Sequence, residues 1–197
     1  MRLPTNLKED KEKHIASKHN PQADNMVLES FHVTAYMGLL LAFALILSYV
    51  ELLIPFQTGM PGVKLGLANL AVVLCLYLFG WQKALLLTAV KAVLSGLLFG
   101  NLFMILYSLA GAVFSALIMI ILQKTNWFHV PVISAAGGVA HNMGQLLVAI
   151  RVVETYGVLY YMPTLIIAGL VTGLVMGISA ALVLPYLQNI LAKGNFK

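Results

Sequence analysis

Residues 102–122 read LFMILYSLAGAVFSALIMIIL, twenty-one positions without a formal charge. A bilayer core is crossed by about 20 apolar residues of α-helix, so this stretch predicts a transmembrane span. Comparable runs lie on either side of it, at 34–54, 65–79, 83–98, 132–152 and 163–190. The runs at 65–79 and 83–98 are short, and the links at Gly80-Trp81 and Gly100-Asn101 are tight, which predicts antiparallel neighbours. The expected fold is an all-α integral membrane bundle of six transmembrane helices over 34–191. A flexible, charged cytoplasmic tail covers 1–33 and a short cytoplasmic tail covers 192–197.

Composition agrees with that fold. The chain is 60% hydrophobic and 10% charged, against roughly 25% charged in soluble domains. Ten of the charged residues fall in the first 29 positions. The net charge of +5 comes without a basic patch interleaved with aromatics, so nucleic acid is not an expected partner. The polar start has no apolar core of a cleavable signal. Cys75 lies inside an apolar run, without neighbours at metal-ligand spacing, and reads as membrane packing.

Lys and Arg in the flanks set the orientation. With the N-terminus inside, the inner flanks carry Arg2, Lys8, Lys11, Lys13, Lys18, Lys83, Lys124, Lys193 and Lys197, and the outer flanks carry Lys64 and Arg151. Both termini are therefore expected in the cytoplasm of a multi-pass bacterial membrane protein. Trp81, Trp127 and Phe128 then mark the inner interface, and Tyr156, Tyr160 and Tyr161 the outer one.

At ~1.5 Å per helical residue, the polar residues of the spans distribute to one side. Lys91, His141 and Asn142 fall near the midplane. Gln145, Glu51, Lys64, Asn69, Asn101, Arg151 and Glu154 fall further outward. Packing alone gives no reason for that bias, whereas an outward-open pocket does. Intramembrane ionisable groups usually face the bundle interior or a wet cavity. Thr88, Lys91 and Ser95 share one helical face, His141 and Gln145 another with Asn142 beside it, and Asn101 and Ser108 a third.

Each of these residues also has a structural reading. Lys91 can pair with Glu51 or Glu154, and Lys64 and Arg151 can be interfacial cations that snorkel. His141 can bond a backbone carbonyl, Asn142 and Gln145 can join helices, and Asn69 and Asn101 can cap them. Small residues recur at four-residue spacing at Gly169, Gly173 and Gly177, at Gly111 and Ser115, and at Gly38 and Ala42. Such faces serve close packing inside the bundle or docking onto a partner. Gly137 and Gly138 are positions where the fifth span can thin or kink to admit a ligand.

No P-loop is present, and the only aspartates are Asp10 and Asp24, both in the tail. No acidic cluster suits Mg²⁺ on a diphosphate, and no Ser-His-Asp arrangement can be drawn in the membrane domain. The chain is expected not to be an enzyme and to carry no metal.

Six motifs resemble one bacterial membrane family: PGVKLGLAN at 61–69, LYLFG at 76–80, LLFG at 97–100, YSLAG at 107–111, AHNMGQ at 140–145 and AGLVTG at 168–173. It is the Gx transporter family, also called heptaprenyl diphosphate synthase component I, and the resemblance covers 34–184. The family is similar to the S components of energy-coupling factor transporters, six-helix proteins that capture a micronutrient from outside. A T component and two ATPases energise them. The resemblance implies that Gly38 and Ala42 dock the T component. Together with the outward polar set, the expected function is an S-component-like binding protein with ligand contacts from Lys64, Asn69, Lys91, Asn101, His141, Asn142, Gln145 and Arg151, in which Lys91 neutralises an anionic group. A second implied role is a non-catalytic membrane subunit beside a prenyl synthase or a flavoprotein, in quinone biosynthesis or flavin-based extracellular electron transfer. No cofactor of its own is expected there, beyond a bound quinone or flavin-like ligand.

Overall fold

A computed structural model describes residues 21–53, 66–154 and 156–193. Six α-helices occupy them: α1 Pro21–Leu53, α2 Asn69–Phe79, α3 Trp81–Phe99, α4 Leu102–Thr125, α5 Val130–Val153 and α6 Met162–Lys193. A 3-10 helix, Tyr156–Tyr161, leads into α6. Five of the helices are long and apolar enough to cross a membrane. The fold is the expected six-helix membrane bundle, with the first helix differing in extent. It starts at Pro21, well before position 34, because proline fits the first turn of a helix and neither proline nor glycine interrupts residues 22–37.

Short links between consecutive helices are punctuated where the chain must turn. Gly80, at φ 85, separates α2 from α3, a conformation that costs glycine little. Asn101 starts α4 by accepting the Met104 amide at 2.9 Å, and Asn126 ends it at φ 56. Gly96 of α3 lies by Ile105 of α4 across the Gly100-Asn101 link, and the next two pairs run antiparallel as well. Along α4 and α5, Ser115 and Met119 lie by Gly137, while Ala110 and Gly111 lie by Gly144. Along α5 and α6, Gly138 lies by Gly169 and Pro131 by Gly177.

Helices α2 to α6 form a ring: each touches its successor, and α6 returns to α2. Helix α2 has 11 residues, about 17 Å of helix, too short to span alone. Its residues Ala71, Val72, Val73, Leu74, Cys75 and Leu76 are all buried, as expected of a helix that is apolar all round. Helix α1 stands outside the ring against α2 and α3, held by the stacked Tyr36–Phe79 pair and the tilted Tyr49–Phe99 pair.

The distribution of side chains is that of a bundle in lipid. Leu39, Ile46, Leu86, Leu97, Leu117, Ile121, Leu147 and Leu182 are exposed, whereas Ser95, Ser108, Ser115, Ser134, Asn142 and Gln145 are buried. Hydrocarbon solvates the apolar outer face, so polar groups gather inside, where partners exist. Trp81, Trp127 and Phe128 are exposed at one end of the bundle and Tyr156, Tyr160 and Tyr161 at the other.

Candidate ligand cavity

All six helices lead to one cavity. Its wall is formed by Glu51 from the last turn of α1, Gly66 and Asn69 at the start of α2, Lys91 from α3 and Ser108 from α4. Gly138, His141 and Asn142 from α5 and Thr172 and Gly173 from α6 complete it. Ser108 lies in the first half of α4, Thr172 in the first half of α6, and Glu51 and Asn69 at helix ends. With neighbours antiparallel, these positions place the cavity from the bundle's middle toward the end that carries Tyr156, Tyr160 and Tyr161.

The wall is polar and tightly organised. Glu51 is buried and accepts the backbone N–H of Gly66, which ties the end of α1 to the approach to α2. Asn142 donates through Nδ2 to the Leu165 carbonyl of α6 at 2.7 Å, so it joins two helices while it lines the cavity. Thr172 donates its hydroxyl proton to the Ala168 carbonyl at 2.8 Å, which leaves its oxygen lone pairs as acceptors. Lys91 supplies ammonium donors and Asn69 an amide. Lys91, Glu51 and His141 each have an interaction partner within the structure. The cavity is about 30 Å³, room for roughly two water-sized groups. In this conformation it accommodates the polar end of a ligand, not a large molecule whole.

The expected site residues divide into four groups. Asn69, Lys91, His141 and Asn142 come together on the cavity wall. Gln145 lies one turn beyond His141, is 6% exposed, and its amide oxygen and nitrogen both lack a hydrogen-bond partner. Its neighbours include Gly111 of α4, and it does not line the cavity. Asn101 and Arg151 stand apart from it. Asn101 is an exposed helix cap, for which the extended backbone before α4 has a direct need. Arg151 is exposed in the last turn of α5. Lys64 lies outside the described residues.

Glu51 is the wall residue that the sequence presents only as a partner for Lys91. Its signal was present, since a carboxylate in the last turn of an apolar span is costly. Glu154 is exposed at the end of α5 and lies off the wall. Thr172 and Gly173 give no such signal, because they read equally well as packing residues, whereas Gly138, one of the two glycines expected to admit a ligand, lies on the wall. Gly137 and Gly138 leave α5 unbroken over Val130–Val153; they bring helices close. A Cβ at Gly137 would meet Met119 of α4, and one at Gly138 would meet the Gly169 backbone of α6.

Below the wall, toward the opposite end, Thr88, Ser115 and Ser134 are buried with hydroxyls that lack a hydrogen-bond partner. Among the described residues, no three His, Cys, Asp or Glu side chains gather as a metal site requires.

A family model described as heptaprenyl diphosphate synthase component I matches residues 40–183. That range contains every described residue of the cavity wall. Comparisons with curated proteins and with solved structures returned no match.

Proposed function

The chain belongs to the heptaprenyl diphosphate synthase component I family through residues 40–183, and on that premise we propose that it is a ligand-binding membrane subunit. It captures a small molecule from the extracellular side and passes it to, or uses it with, partner subunits, in the manner of a transporter S component. One observation carries this reading: six helices contribute polar side chains to a single cavity displaced toward one end of a multi-pass bundle. Such convergence is costly in a membrane and is accounted for by a ligand. The excess of Lys and Arg at the other end supports an outward-facing cavity end.

The chain is proposed to be non-catalytic. The diphosphate chemistry in the family's name needs several acidic residues for Mg²⁺; among the described residues that line the cavity Glu51 is the acidic one, and Asp24 lies in the first turns of α1, at the far end of that helix from Glu51. The synthase-component name implies a membrane partner subunit, and α1 offers a place for one. Gly38 and Ala42 are exposed there, and a Cβ at Gly38 would meet nothing within 4 Å. The same face supports a second reading, in which the partner is a prenyl synthase or a flavoprotein and the cavity holds a quinone or flavin-like group.

Outward capture is tested by Asn69→Cys, since the native Cys75 is buried. A small membrane-impermeant methanethiosulfonate added to intact cells is expected to label the variant. Labelling that requires permeabilised cells overturns the outward assignment. Proteins that co-purify from native membranes separate the two readings. A T component with ATPases supports transport, and a prenyl synthase or flavoprotein supports the second reading.

A further inference from the structure

The amide of Gln145 is buried and unbonded beside the cavity. The residue is 6% exposed, and neither Oε1 nor Nε2 has a hydrogen-bond partner among the described residues. It stands one turn beyond His141 on α5, and His141 lines the cavity. Gly111 of α4 brings the two side chains together. A Cβ built there would lie 2.9 Å from Gln145 Cγ and 3.0 Å from His141 Cε1. Gln145 therefore packs next to a ring of the cavity wall, in room left by a glycine on the helix that carries Ser108, itself a wall residue.

Helix packing gives no reason for an amide at this place. Asn142 shows what such a reason looks like, since its amide bonds the Leu165 carbonyl and joins α5 to α6. Gln145 makes no such bond, and the close approach of α4 and α5 is supplied by Gly111 and Gly144. An unbonded amide in a low-dielectric interior lowers stability, and an apolar side chain of similar size avoids that cost. The chemistry of the group says what would offset it. A primary amide presents N–H donors and a carbonyl acceptor side by side in one plane. A carboxylate or phosphate only accepts and answers half of it. A group with an N–H beside an acceptor answers both.

We propose that Gln145 is a specificity-determining residue of the cavity and reads a neutral planar edge of the ligand in which an N–H lies beside an acceptor. Carboxamides, cyclic amides and ureides, and amino-substituted nitrogen heterocycles carry that edge. This rests on the ligand-capture reading and narrows its substrate class. Rotation about the outer side-chain torsions swings the amide around a Cγ that already lies by the His141 ring, so contact needs no backbone movement. A thin planar edge also suits a cavity of about 30 Å³.

The test compares full-length wild-type protein with Gln145→Leu, both purified gently from native membranes. Molecules released on denaturation are identified by mass and fragmentation, and deuterium exchange counts their N–H groups. Wild-type protein is expected to release a species with an N–H beside a carbonyl or a ring nitrogen. The variant is expected to release less by about tenfold or more, as the loss of two neutral hydrogen bonds implies. Its melting temperature after ligand is washed out is expected to be no lower than that of wild type, which separates lost binding from lost fold. Equal release from both proteins overturns the inference, and so does a variant that melts below wild type, because the amide then serves the fold. A released species without that edge, such as a quinone or a simple carboxylate, overturns it and leaves ligand capture standing. Release of no small molecule by wild type defeats ligand capture itself, and the inference with it.

Discussion

Gln145 shows how one residue carries a stability cost and a functional hint together. Its amide is buried with neither polar atom bonded, and an unsatisfied buried group costs about 1–3 kcal/mol. Gln145→Leu is therefore expected to raise the thermal stability of the ligand-free protein by about that amount, read as a higher melting temperature in detergent. An unchanged or lowered melting temperature would show that the amide is satisfied in the membrane. Lys91 and His141 make the opposite case, because both line the cavity and have partners. Lys91→Ala and His141→Ala are each expected to weaken ligand binding while the protein stays folded in detergent; unchanged affinity in both removes them from the site.

The sequence discloses such residues unevenly. Lys91, His141 and Asn142 are legible because polar groups at membrane depth are expensive. Asn101 has the same polarity, yet it caps α4, and one chain cannot tell a cap from a ligand group at a helix start. Glu51 reads as a counter-ion until the fold brings α1 over the cavity.

Among the elements, the glycine faces divide by what they touch. A Cβ at Gly173 would lie 2.6 Å from the Ser134 carbonyl oxygen and 2.7 Å from the Ala135 Cα. These are backbone atoms that cannot step aside, so α5 and α6 meet only because the stripe of Gly169, Gly173 and Gly177 leaves room. Gly173→Ala is expected to destabilise the bundle by about 1–3 kcal/mol, seen as a lower melting temperature or lost expression. Gly38→Ala meets open space inside α1 and is expected to stabilise modestly, by about 0.5–1 kcal/mol, through helix propensity. The bulkier Gly38→Leu is expected to reduce co-purification of the partner. Stable association despite Gly38→Leu would move the docking face elsewhere. Four-residue spacing announces both faces in the sequence, but which one is buried depends on the ring closing through α6 and α2, a tertiary fact. The start of α4 at Leu102, by contrast, follows directly from apolar run length, whereas the start of α1 at Pro21 lies in a polar stretch that run length does not mark.

At the scale of the whole molecule, the bundle reverses the polarity of a soluble protein, and each of its six helices brings a polar side chain to an off-centre cavity. In the proposed orientation, read from Lys and Arg, both termini lie inside. A reporter fused after Lys197 is expected to be active only if it functions in the cytoplasm; activity of an export-dependent reporter there would invert the protein and turn the cavity inward.

The central claim is that this cavity holds a small molecule, and denaturing release followed by mass analysis tests it most directly. Protein purified gently from native membranes should release one small-molecule species at a ratio near one per chain, and Lys91→Ala protein prepared in parallel should release far less of it. Release of no such species, or of equal amounts from both proteins, would contradict the account.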